Sequence, residues 1–159
     1  MLKETAIKRN QLIDSLNELN AHTQFAISAG RGDAKRALLF LNEMPYDPDI
    51  EVAKNTLNEI IECDKLIQPE QKAIHEGLDV LDEGIKIMIL MCRGDLKATY
   101  KMLVGAEKAN LEGLADGTFD DDALEIAQIM KVDLPKAIAL LERAAVIDCV
   151  DLEWKLLQR

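Results

Sequence analysis

An all-α fold follows from three features of this sequence. Apolar residues recur at three- and four-residue spacing along most of the chain, and no alternating strand pattern interrupts them. Gly and Pro together number 12 of 159 residues, and aromatics make up 4%. The chain is rich in Leu, Ala, Lys and Glu, which favour helix over sheet. The expected architecture is a six- or seven-helix bundle. A variant of it is two stacked αα-hairpin units related by an internal duplication. At this length a single domain over 1–159 is the default, with sub-units at 1–67 and 68–159.

The pattern predicts a first helix from Leu2 to Ala29, carrying Leu12, Leu16, Leu19 and Ala26 on one stripe. Gly30-Arg31-Gly32 stops it, because glycine tolerates the left-handed conformation that closes a helix. Asp33 caps a short second helix with Ala34, Ala37, Leu38, Leu41 and Met44 on one face. Pro45-Tyr46-Asp47-Pro48 reads as a rigid loop, and Asp49 as the cap of a third helix bearing Ile50, Ala53, Leu57, Ile60 and Ile61. A connection near Ile67-Gln68 then lets Pro69 open a fourth helix to Cys92. Its last turns, Ile85 to Met91, are apolar almost all round, which predicts burial on every side. Asp95 caps a fifth helix to about Leu114. A sixth is expected from Asp121 to Lys131, and a seventh from Leu134 into the tail.

Arg31-Gly32-Asp33 recurs as Arg93-Gly94-Asp95, an offset of 62. At that offset Leu16 meets Leu78, Leu19 meets Leu81, Ile27 meets Ile89 and Leu41 meets Leu103. Both copies describe a helix, a tight Arg-Gly break and an Asp-capped return helix, the signature of a repeated αα-hairpin.

Residues 123–145 resemble a helix-turn-helix. Ala127 would allow close helix approach, Met130 and Val132 would bracket the turn, Asp133 would cap the second helix, and Leu140 or Leu141 would close the core. Lys131 stands where that motif usually has glycine. The resemblance implies a second helix that reads DNA, with Lys136 and Arg143 as its candidate contacts. No Asn, Gln, Ser or Thr accompanies them to read base edges.

The net charge is −10, from 29 acidic and 19 basic residues. That balance argues against nonspecific phosphate binding and against docking on an anionic membrane. The acids concentrate between Glu107 and Glu125, where Glu107, Glu112, Asp116, Asp120, Asp121, Asp122 and Glu125 face one base, Lys108. Asp116 to Asp122 resembles a calcium loop only superficially. Counted from Asp116, Asp121 falls on the position that needs Gly, and Ala127 on the one that needs the bidentate Glu. The stretch reads instead as a solvated loop with favourable helix-start charges, or as a surface that attracts a basic partner.

Motifs that carry chemistry are missing from the sequence. It contains no His-Glu-x-x-His, paired Cys-x-x-Cys, P-loop or Gly-x-Ser-x-Gly. His75 precedes Asp79 by one helical turn, but no Glu-x-x-His of the di-iron kind accompanies it. Cys63, Cys92 and Cys149 are odd in number and lack motif spacing, so they read as core thiols in a reducing compartment. Met1 to Thr5 shows no apolar signal-peptide core, and the longest uncharged apolar run, Ile87 to Cys92, is too short to span a membrane.

The expectation is therefore a cytoplasmic, non-catalytic protein–protein interaction module: an adaptor, inhibitor, assembly chaperone or regulatory subunit. No cofactor, metal or catalytic residue is expected. The partner is a protein with a basic surface, or a second copy of the chain. Glu112, Asp116, Asp120, Asp121 and Asp122 are the expected contact patch, and Trp154 and Leu157 in the amphipathic tail the expected apolar anchor. The alternatives are a DNA-binding regulator acting through 123–145, and an acidic DNA mimic that occupies a nucleic-acid-binding protein.

Overall fold

The computed structural model describes residues 1–152. Among them are seven helices and no strand: α1 (Leu2–Leu16), α2 (Ala21–Ala29), α3 (Ala34–Asn42), α4 (Pro48–Asp79), α5 (Glu83–Met91), α6 (Leu96–Asp116) and α7 (Asp121–Ile147). The chain divides into two compact units, the first ending at Glu70 and the second beginning at Gln71. Each has its own apolar core.

The first unit comprises α1, α2, α3 and the leading part of α4. Leu16, Ala26, Ala37, Leu41, Ile50, Ala53, Leu57 and Ile60 are buried together. The expected single helix over Leu2–Ala29 is broken at Asn17–Asn20. Asn20 makes the break favourable. Its side chain accepts hydrogen bonds from the Thr23 amide and the Thr23 hydroxyl, so a new helix start is capped. Its own backbone amide donates to Asp49 Oδ2 at 2.7 Å.

The second unit is built from the end of α4 with α5, α6 and α7. Leu81, Ile85, Tyr100, Leu103, Val104, Leu134, Ala137, Ile138 and Leu141 form its core. The corresponding tie is present here. The Asp82 side chain caps α5, and its backbone amide donates to Asp133 Oδ2 at 2.9 Å.

The offset of 62 seen in the sequence holds in the backbone. α2 spans 21–29 and α5 spans 83–91; α3 starts at 34 and α6 at 96. Arg31 and Arg93 both have φ 51°, and Gly32 and Gly94 have φ 83° and 81°. Two successive left-handed residues reverse the chain in three residues, and glycine takes the second without a Cβ penalty. Asp33 and Asp95 then cap the return helices through side-chain oxygens. For the last helix of each unit the offset becomes 84. Asp49, Ile50, Ala53 and Leu57 match Asp133, Leu134, Ala137 and Leu141, the two aspartates bonding to the matched amides and the others lying in the matched cores.

Further expectations are corrected. Pro69 opens no helix; α4 runs through it without interruption to Asp79. Pro135 likewise lies inside α7, which is continuous from Asp121 to Ile147. The two helices and turn expected over 123–145 are therefore one helix. A proline removes one backbone donor and crowds the preceding turn, but packing on both sides of it outweighs that local cost. Nor is α5 buried all round. Ile85 is fully buried, whereas Ile87, Leu90 and Met91 are 56%, 75% and 65% exposed. Of the cysteines only Cys63 is buried; Cys149 is exposed, at φ 54°.

Asp49→Ala and Asp133→Ala should each destabilise the protein by about 1–3 kcal/mol, because each strands a partly buried amide. Asp→Asn at the same positions keeps an acceptor and should cost less. Urea unfolding measures both. Equal behaviour of Ala and Asn variants would show that the amide tie is not what matters there.

Candidate functional site

The acidic residues gather where α6 turns into α7. Glu112 and Asp116 lie one turn apart on α6, which ends at Asp116. Gly117 closes that helix in the left-handed conformation at φ 66°, and its amide donates to Gly113 O. The Phe119 ring folds back over Gly113. A Cβ there would overlap the Phe119 ring, so the close approach requires glycine. Asp120 then caps α7, its Oδ1 accepting from the Ala123 amide at 2.8 Å. Asp121 and Asp122 fill the first turn, where negative charge meets the positive end of the helix dipole.

The structure thus brings Asp116, Asp120, Asp121 and Asp122 to one exposed tip, with Glu112 a turn below Asp116. Among the described residues no three His, Cys, Asp or Glu side chains are grouped to hold a metal ion. Asp120 spends its carboxylate on a cap. Asp116, Asp121 and Asp122 present theirs outward, which suits a charged surface.

The other expected site residues fall elsewhere. Lys136 and Arg143 are exposed, two turns apart on α7. They do not belong to a recognition helix set off by a turn, since the helix is continuous. Their neighbour Glu142 accepts a hydrogen bond from the buried Tyr100 hydroxyl at 3.0 Å, so that part of α7 helps close the core. His75 lies exposed beside Asp79, at 3.8 Å. Trp154 and Leu157 lie outside the described residues.

Sequence reasoning missed an apolar set on the same hairpin. Ile126, Ile129 and Val132 are 56%, 44% and 56% exposed, although they sit in an apolar stretch. The signal is present in the sequence. With 121–147 treated as one helix, Ala127, Leu134, Ala137, Ile138, Leu141 and Ala145 share its buried face, leaving these three off it.

Each unit also carries a groove along its first and last helices, which in the first unit extends to Ile27 on α2, the Gly32-Asp33 turn and Ala34 and Ala37 on α3. In the first it has a volume of about 160 Å³ and includes Arg9, Ile13, Leu16, Ile60 and Asp64. In the second it is about 260 Å³ and includes Gln71, His75, Leu78, Ala144 and Asp148. These residues correspond at offsets of 62 and 84. In the first groove Arg9 Nε donates to Asp64, a partly buried ion pair that pins α1 to α4. The walls that the first and last helices give these grooves are thus repeated, while the acidic tip occurs in the second unit alone.

Comparison with protein-family models, with characterised proteins and with solved structures finds no match to this chain.

Gly113→Ala should displace Phe119 from the α6–α7 turn, and Asp120→Ala should remove the α7 cap at a cost of about 1 kcal/mol. Thermal unfolding and the Phe119 ring resonances check these. An unmoved ring in Gly113→Ala would contradict the close packing described.

Proposed function

We propose that this chain is a non-catalytic protein-interaction module that docks a partner with a basic surface through the α6–α7 end. One observation carries the reading. Residues 105–131 hold seven acids and two bases, Lys108 and Lys131, a net −5 out of the chain's −10. Asp116, Asp120, Asp121 and Asp122 stand exposed at the tip of this helical hairpin. Clustered charge of one sign raises the encounter rate with an oppositely charged partner and rejects acidic ones. The Asp120 cap and the packing of Phe119 on Gly113 support this role, since they fix the backbone of the turn that carries these acids.

Three free thiols suit a reducing, cytoplasmic setting. No helix among the described residues is long and apolar enough to cross a membrane. A target that normally binds nucleic acid would also meet this surface, because its own binding face is basic.

The test is a tagged pull-down from native lysate, with and without nuclease, using the parent chain and the Asp116→Asn/Asp121→Asn/Asp122→Asn variant. Asp120 is left intact to preserve the cap. A protein that survives nuclease, is lost at high salt and is depleted by the variant supports the reading. Capture that ignores both salt and the variant would overturn it. Competition between DNA and this chain for the captured protein would identify the target as a nucleic-acid binder.

A further inference from the structure

The two offsets together isolate a segment. Asn42, the last residue of α3, corresponds to Val104 at 62, and Pro48, the first of α4, corresponds to Val132 at 84. Between them the first unit has the five residues 43–47, and the second has the 27 residues 105–131. The first unit builds a core of the same helices without any equivalent of this hairpin. The exposed Ile126 and Ile129 within it are therefore not required to build such a core, and Val132 follows them at the position of Pro48.

We propose that the outer face of the hairpin on α7 is a docking surface for a basic amphipathic helix of a partner protein. This rests on the interaction-module reading and names the face and the chemistry of its occupant. Ile126, Ile129 and Val132 follow one another at three-residue steps, so they form a continuous exposed stripe along the helix. Asp122 and Glu125 stand four residues before Ile126 and Ile129, on the same surface. An apolar stripe bordered by carboxylates matches a helix that offers leucine-like side chains on one face and lysine or arginine beside them. The charge selects that occupant over others. The hairpin's net −5 disfavours a second copy of the same acidic hairpin, and an acidic or neutral helix would leave the carboxylates unpaired.

The test titrates the full chain with a synthetic Leu/Lys amphipathic helix. A peptide of the same composition, shuffled to destroy its apolar face, is the control. Affinity is read by fluorescence anisotropy at physiological salt, and the site by amide shift mapping. The intact helix should perturb residues 122–132 and bind at least about tenfold more tightly than the shuffled peptide. Ile126→Gln/Ile129→Gln should remove that advantage with the circular dichroism spectrum unchanged. Asp122→Asn/Glu125→Gln, which leaves every apolar side chain in place, should weaken both peptides and provides a second reading if the first variant misfolds. Equal binding of the two peptides at the acidic tip would overturn the stripe and leave the acidic-patch reading standing. Binding of neither would overturn both. Shifts centred away from 122–132 would also overturn the proposal, as would concentration-dependent dimerisation that Ile126→Gln/Ile129→Gln abolishes.

Discussion

A carboxylate held against a backbone amide organises each half of this chain. Asp49 takes the Asn20 amide and Asp133 takes the Asp82 amide. In each unit this amide belongs to the residue that caps the second helix, and the acid belongs to the fourth. A donor at a helix start has no intrahelical partner, so a long-range acceptor there satisfies it and also sets the register between the two helices. Once that register is set, Ile50, Ala53 and Leu57 in one unit, and Leu134, Ala137 and Leu141 in the other, fall on their cores. The three-residue reversal at Arg-Gly-Asp then returns the third helix against the second.

Much of this is legible in the amino-acid sequence. The helical class, the Arg-Gly-Asp echo at 62 and the Asp33 and Asp95 caps are all local signals. They read correctly because caps and left-handed turns depend on a few adjacent residues. The features that sequence conceals depend on distant ones. Pro69 and Pro135 carry local signals for a helix start or break, yet both lie inside continuous helices because the flanking turns are packed. The Asn17–Asn20 break misleads in the opposite direction. The apolar period runs on through it, and the acid that takes the Asn20 amide is 29 residues away. The second offset, by contrast, lies in local residues, Asp49, Ile50, Ala53 and Leu57 against Asp133, Leu134, Ala137 and Leu141, and could have been read from the sequence.

The corrected pairing changes what the acidic stretch means. It is not an ordinary connecting loop. It lies within 27 residues that stand where the first unit has five, and these carry half the net charge and the exposed Ile126 and Ile129. The hairpin still touches the second core, through Ala106 and Met130, while Ile126 and Ile129 face away from it. The repeated elements build the two cores, and the proposed docking face lies on the hairpin that only the second unit has. The same division accounts for the grooves. Arg9 and Asp64 in one, with Gln71 and Asp148 in the other, occupy matched scaffold positions.

The most direct test of this division is hydrogen exchange on a chain in which residues 105–131 are replaced by the five residues Glu43 to Asp47. The account predicts that amides in 83–91, 96–104 and 133–147 keep the protection they have in the parent chain, because the shorter link already closes the equivalent helices of the first unit. Protection lost throughout these segments would contradict it, and would make the hairpin part of the scaffold rather than an addition to it.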